Sequence, residues 1–455
     1  MDTPTAGSNP KLASADPVQS ALSDGLYHWF CGLLHFPFLD KICFVETSPH
    51  LRGLLPLSQN TLGVRIVFSH PLANSKMSIR ASYPWVFFIS ALLLNACTPK
   101  GISDEAFEAA AENYANIVLA NYEDCYNLTK QLKDQIDIFV ANPTEEGFTA
   151  CKELWLKARN PYGQTEAFRF YGGPIDDENG PEGLINAWPM DENYIDYVQG
   201  DQGAGLINNL EDYPEITKEV LESLNESFSE ESIFTGYHAI EFLLWGQDFY
   251  QESPGIRAYT DYVIDGTAPN PERRGRYLQI TADLLLDHLS YVKKEWEKDG
   301  DYRATFLSYP RQEVVTKIFT SLGEFSKGEL AGERMFVAVD SKDQENEHSC
   351  FSDNTIADIV NNFQGIVNVY TGEYTQVDGE KIVGTSYADL ATQVSPAKAK
   401  AVDEAIANTR RAIQQIPSPF DQAILQHEEE VLNAVSALED LSDAFADVSL
   451  ELKKS

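Results

Sequence analysis

Apolar residues recur in steps of three and four over most of this chain. Phe107, Ala111, Tyr114, Val118, Tyr122, Cys125, Leu128, Leu132, Ile136 and Phe139 make one continuous stripe, as a long amphipathic helix requires. Asn142-Pro143 stops it, and a second helix is expected over 145–158. A stretch rich in Gly, Pro and Asp runs from 171 to 183 and continues as loop to about Gly205. Helices are then expected at 214–224, 236–249, 271–297, 302–328, 353–370 and 396–416. A final one carries Leu425, Leu432, Val435, Leu438 and Phe445 on one face. No segment shows the alternation of a half-buried strand. Long helices joined by short turns imply an all-α fold of two packed helical bundles with about four helices each. The Pro- and Gly-rich stretch from Pro254 to Pro271 suggests a division into 103–265 and 266–455, an architectural duplication without a sequence repeat.

One apolar segment breaks the helical pattern. From Met77 a short basic start (Arg80) leads into Trp85, Val86, Phe87, Phe88, Ile89, Ala91, Leu92, Leu93 and Leu94, then Asn95-Ala96-Cys97. This is the layout of a secretory signal. Leu94 three before Cys97 and Ala96 just before it resemble the lipobox of bacterial lipoproteins. The apolar run of about 12 residues falls short of the roughly 20 that span a bilayer. Export from a bacterial cytoplasm is therefore expected, with 77–96 removed, Cys97 acylated as the first mature residue and 97–102 as a tether. An uncleaved membrane anchor or a soluble chain is the alternative. Residues 1–76, rich in Pro, Ser, Leu and Gly, show no periodicity. They read as a mistranslated upstream extension, disordered if present. Thr98, with no Asp after the Cys, favours the outer membrane of a diderm cell envelope, facing the periplasm or the surface.

Charge separates the same two regions. Residues 1–96 hold 6 Lys+Arg and 5 Asp+Glu, so the remainder holds 28 basic and 65 acidic residues, a net −37. Such acidity makes duplex nucleic acid an improbable partner, because that binding rests on Lys and Arg neutralising phosphates. It suits a cation-rich exterior and metal ions. Of Cys97, Cys125, Cys151 and Cys350, one is assigned to the lipid. A Cys125–Cys151 bridge between successive helices is possible, though the odd remainder leaves it open.

Four histidines follow Cys97: His238, His288, His348 and His427. His238 stands in Gly236-Tyr237-His238-Ala239-Ile240-Glu241. On a helix, His238 and Glu241 share a face and can reach one ion, a nitrogen and oxygen pair suited to zinc or iron. Gly236 permits a close backbone or ligand approach. An ordinary buried histidine bonded to its helical neighbour fits the same spacing. His288 and His427 lack ligand-like neighbours and read as packing or surface residues.

The string Gly-x-His-x-x-Glu followed by Phe242-Leu243-Leu244-Trp245-Gly246 resembles the signature of the imelysin family. Two further stretches are similar to it: Trp155–Phe170, containing Arg159, Tyr162, Glu166 and Arg169, and Glu347–Thr355, leading to Asn362, Gly365 and Gly372. The resemblance spans about 103–450 and is strongest to the iron-regulated protein A branch. It implies two helical bundles with a site near their interface, a metal ion that is divalent or trivalent (iron or zinc), and iron-transport components as partners. His238, Glu241 and Glu166 are the implied metal residues. Arg159, Tyr162, Gly236, Glu347, Ser349 and Asp353 are expected around the site, with Ser352 or Asp353 equally suited to cap the helix that follows. A zinc peptidase of the usual kind needs His-Glu-x-x-His, but Ala239 and Phe242 occupy the decisive positions. If the protein is a peptidase, Glu166 or Glu241 must be the base. A non-catalytic metal-binding protein in iron uptake or sensing is the favoured reading, a metallopeptidase the second, and a scaffold with a vestigial site the third.

Overall fold

The structure, a computed structural model, describes residues 101–455; the leader, Cys97 and segment 1–76 lie outside the described residues. Helix α1, Asp104–Ala141, buries all ten residues of the stripe. Its start is fixed by the Ser103 hydroxyl, which accepts the Ala106 N–H at 3.3 Å, with Asp104 and Glu105 placed favourably in the first turn. Helix α2, Glu145–Thr165, outlasts the expected end at 158 and runs through Pro161. Pro161 removes one backbone donor. Burial of Trp155, Ala158, Arg159 and Tyr162 nevertheless carries the helix on, since packing supplies most of a helix's stability. Asn121 donates to the Pro161 carbonyl at 2.9 Å, and a 3₁₀ turn, Glu166–Phe168, ends the segment.

Helix α3, Gly236–Trp245, is shorter than expected because Gly246 turns the chain at φ 74°. Helix α4, Pro271–Trp296, starts with proline at its first turn. The single helix expected over 302–328 is two: α5, Asp301–Ser308, and α6, Arg311–Glu324. Tyr309-Pro310 separates them, since proline cannot continue the hydrogen-bond ladder. α6 then continues as a π-helix over Phe325–Phe336 and a last α-helical turn, Val337–Ser341. Helix α7, Thr355–Thr371, closes on Gly372 at φ 69°. A small antiparallel hairpin follows, β1 (Glu373–Thr375) on β2 (Lys381–Val383), with Tyr374 opposite Ile382; six paired residues are too few to register as alternation. Helix α8, Tyr387–Val394, is set by a capping box between Ser386 and Asp389. α9, Pro396–Ile413, α10, Phe420–Gln426, and α11, Glu428–Lys454, complete the all-α fold.

Helices α1, α2, α3 and α4 pack on one another, and α11 packs on α6, the π-helix and α9. α7 joins the two groups by lying on α2 as well as on α8 and α9. α4 follows the division expected at 265/266, yet it belongs by its contacts with α1: Gly275 leaves room for Val140, which an added Cβ would meet at 2.8 Å. α2 and α7 cross still more closely, where a Cβ on Gly365 would lie 2.2 Å from the Gln164 carbonyl oxygen. Cys125, Cys151 and Cys350 are buried free thiols, so the Cys125–Cys151 bridge is not formed. Among the described residues no helix is long and apolar enough to cross a membrane.

Candidate functional site

Three elements meet at a buried polar centre. α2 brings Arg159, α3 brings His238 and Glu241, and α7 brings Asp358, while the loop before α7 supplies His348, Ser349 and Ser352. The i, i+3 spacing on α3 does bring the imidazole and carboxyl together: His238 Nδ1 lies 2.9 Å from Glu241 Oε2. The other carboxyl oxygen accepts the Ser352 N–H at 3.0 Å and its hydroxyl at 2.7 Å. Arg159 spans the centre. Its Nε donates to Asp358 at 3.2 Å, one terminal nitrogen reaches the Asn186 side-chain oxygen, and the other lies 3.1 Å from His348 Nδ1 and 3.5 Å from His238 Nε2. Ser349 donates its hydroxyl to Asp358. The two imidazole rings stand edge to face at 4.8 Å, and Trp188 covers the His238 ring at the same separation.

Burial sets the protonation here. It holds both imidazoles well below their usual range, helped by Arg159 and His348 around His238 and by Arg334 and Arg159 around His348. Burial likewise pushes Glu241 up to about 8. At neutral pH the His238–Glu241 contact is therefore a hydrogen bond between neutral groups, consistent with its full enclosure.

Beside this centre lies a cavity of about 320 Å³. His348, Asn186 and Trp188 form its inner wall; Glu182, Glu226, Glu329 and Glu333, with Arg169 and Arg334, form the rest of its charged lining. The π-helix shapes that wall. Its i→i+5 hydrogen bonding brings residues five apart onto neighbouring turns, and Arg334 Nε donates to Glu329, five before it, at 3.1 Å. Glu166 sits behind the wall, paired with Arg334 and, at 2.9 Å, with Arg169. Burial alone would raise its pKa, but the guanidinium groups of Arg334 and Arg169 outweigh burial and hold it at about 2. Glu182, 3.1 Å from Arg169, is driven the other way by burial, to about 7.

The residues singled out from sequence are thus distributed unevenly. His238, Glu241, Arg159 and Ser349 converge. Tyr162 packs under the Arg159 guanidinium at 5.5 Å. Gly236 adopts φ 84°, and a Cβ there would lie 2.4 Å from the Ile185 carbonyl oxygen, so the close approach it permits is that of backbone. Glu166 is engaged by arginines rather than by His238. Glu347 and Asp353 face a different acidic cluster. Neither Ser352 nor Asp353 caps α7: Asn354 holds that position without a side-chain capping bond, and Ser352 serves Glu241 instead. Arg334, Asp358, Asn186 and Trp188 carry no local pattern that marks them; only His348, as a neighbour of Glu347 and Ser349, stood close to a noted motif. His288 lies 3.4 Å from Glu222, and His427 lies between α10 and α11, 3.3 Å from Glu430.

The family model described as imelysin matches residues 118–446. This chain belongs to the imelysin family. Iron-regulated protein A of Synechococcus elongatus is 26% identical over 368 residues, covering 78% of this chain and 88% of that protein. The crystal structure of an iron-regulated protein A precursor from Parabacteroides distasonis superimposes with a TM-score of 0.63 at 19% identity, over 78% of this chain and 97% of that one. An imelysin-like protein from Psychrobacter arcticum aligns at a TM-score of 0.49 and 14% identity, over 79% and 96% of the two chains. The fold shared with the Parabacteroides protein agrees with the all-α fold read from the sequence.

A metal at the imelysin motif has to be tested against the donors present. His238 Nδ1 is engaged by Glu241, its Nε2 faces a guanidinium, and Glu241 has both oxygens taken. As arranged, His238, Glu241 and Glu166 offer no common open position for a cation. His348 differs in lining the cavity that also holds carboxylates, although its Nδ1 lies 3.1 Å from the Arg159 guanidinium and its Nε2 3.5 Å from the Asn186 amide nitrogen.

Proposed function

We propose that this imelysin-family protein binds iron at the bacterial cell envelope, anchored by acylated Cys97 on the outer membrane, and that it is not a peptidase. The observation that supports the reading is the cavity lined by His348 together with Glu182, Glu329 and Glu333. A neutral imidazole with carboxylates suits iron among the first-row metals. Glu182, held at about 7, can give up its proton as a cation enters. The acidity of the whole chain favours cation encounter. His238 and Glu241 act as the rigid backing that holds Arg159 and the His348 loop. Iron-regulated protein A is the relative whose name supports iron, and iron-transport components of the envelope are the partners proposed.

Hydrolysis would need an open metal position and an activated water. Glu241, enclosed between His238 and Ser352, has no water-facing oxygen to serve as the base.

The test uses the full chain with Cys97→Ser, loaded with iron, stripped of excess and measured by elemental mass spectrometry. About one iron per chain is expected, lost in His348→Ala and retained in Glu241→Gln, with no cleavage of a protein substrate. Absence of bound iron, or chelator-sensitive cleavage abolished by Glu241→Ala, refutes the proposal. Fractionation of cells checks the anchor: the unsubstituted protein sediments with membranes and the Cys97→Ser variant does not.

A further inference from the structure

The loop that carries His348 also carries two acids turned away from the cavity. Asp353, on this loop, meets Asp248 from the segment after α3 and Asp421 from the first turn of α10, with one carboxylate oxygen of each within 4.8 Å of the others. Asp248 and Asp421 are buried, whereas Asp353 is partly exposed, which leaves the cluster reachable from solvent. A fourth acid points in from beneath: Glu347 is fully buried, its carboxyl faces that of Asp421 and lies near the Thr355 hydroxyl, and neither of its oxygens makes a hydrogen bond of ordinary geometry. Asp248 Oδ2, Asp353 Oδ1 and Asp421 Oδ2 are likewise buried without a partner.

Four carboxyl groups from three separate segments therefore converge with no basic side chain paired to any of them among the described residues. Buried polar groups are almost always satisfied, and buried charges are paired or hold metal. We propose that Asp248, Asp353, Asp421 and Glu347 form a calcium site, separate from the cavity at His348. The donors are all oxygen, which selects hard cations over zinc or iron. Calcium accepts many carboxylates in irregular geometry, whereas magnesium keeps most of its water and takes one or two. Burial, together with the charge of the neighbouring acids, pushes Asp353 up to about 7 and Asp248 up to about 6, as expected of acids crowded without a counter-ion. Bound calcium pins the 347–353 loop to α10 and to the end of α3, and so fixes the two residues, His348 and Ser352, that this loop lends to the polar centre.

The test is calorimetric titration of the full chain, cleared with EDTA, with calcium chloride, alongside thermal melting with and without calcium. One calcium per chain and a rise in melting temperature of several degrees are expected, with magnesium chloride at least tenfold weaker. The double variant Asp353→Asn/Asp421→Asn should bind at least tenfold more weakly and lose the calcium-dependent rise. In EDTA it should melt no lower than the unsubstituted chain, because it has shed like-charge repulsion. His348→Ala should keep the calcium response whatever it does to iron. The inference is overturned if the unsubstituted chain shows no calcium binding, if magnesium binds as tightly, if the double variant keeps the response, if it melts equally lower with and without calcium, or if His348→Ala abolishes the response.

Discussion

Replacing Glu166 with Gln removes a charge from one of the most enclosed ion clusters in the protein. Glu166 is 1% exposed and paired with Arg334, 4% exposed at its side chain, and with Arg169. Burial works against its charge, yet Arg334 and Arg169 hold it from an ordinary 4.5 down to about 2. A carboxyl moved that far contributes roughly 3 kcal/mol to folding at neutral pH. That is in line with the roughly 3–5 kcal/mol lost when one partner of a buried pair is removed. The folded value lies below the unfolded one, so the contribution is fully present above pH 4.5 and fades as pH falls through about 2. At pH 3 it should have shrunk to roughly 1.4 kcal/mol. Glu182 and Glu241, raised to about 7 and about 8 by burial, act oppositely. Their folded forms bind protons more readily, so their effect favours the fold as pH drops towards their unfolded values. Urea denaturation followed by circular dichroism, on both proteins at pH 7 and pH 3, isolates the Glu166 contribution as the difference between them. A loss under about 1 kcal/mol at pH 7, or the same loss at both pH values, would refute the account of Glu166 as an anion locked between two guanidinium groups.

Other substitutions test the neighbouring contacts. Arg159 can only donate to His238 Nε2, so His238 Nδ1–H donates to Glu241. In Glu241→Gln the amide oxygen can keep that bond but its nitrogen cannot accept the Ser352 N–H, and urea stability should fall by about 1–2 kcal/mol, whereas Glu241→Ala should cost about 3 kcal/mol by leaving those groups buried and unpaired. Arg159→Met should lose about 3–5 kcal/mol in the same assay, and Arg159→Lys should recover little of it because an ammonium cannot span Asp358, Asn186 and His348 together. Gly236→Ala combines a left-handed backbone with a 2.4 Å clash against the Ile185 carbonyl, and its unfolding free energy in urea should fall by more than the roughly 1 kcal/mol that the conformation alone explains.

Periodicity disclosed the elements better than their ends. The stripe of α1 was legible because all ten of its positions are buried, and the helix packs mainly on α2 and α4. Proline was the least reliable sign. Pro161 stands inside α2, where a buried face holds the helix together, while Pro310 breaks the chain at a half-exposed turn. The placement of α4 was illegible, because a loop rich in Pro and Gly records where the chain bends and says nothing of which face the next helix seeks. The π-helix was equally hidden: its sequence is amphipathic in an ordinary way, and only the five-residue Glu329–Arg334 contact gives it away.

The polar centre divides along the same line between local and distant information. His238 and Glu241 were found because they are three residues apart on one helix. Their partners are not local: Ser352 lies 111 residues from Glu241, and Asp358 lies 199 from Arg159. That separation also changed the chemistry assigned to the pair. Spacing alone could not distinguish two ligands waiting for an ion from two groups already satisfied by each other. What decides it is the guanidinium of Arg159 at one imidazole nitrogen and the carboxyl of Glu241 at the other. The unsatisfied acids are instead Glu347 and Asp353, six residues apart on a loop and joined by Asp248 and Asp421 from remote segments. The cation chemistry of this loop was therefore written in sequence only as an unremarkable density of carboxylates, and becomes specific when the fold leaves them buried without a counter-charge.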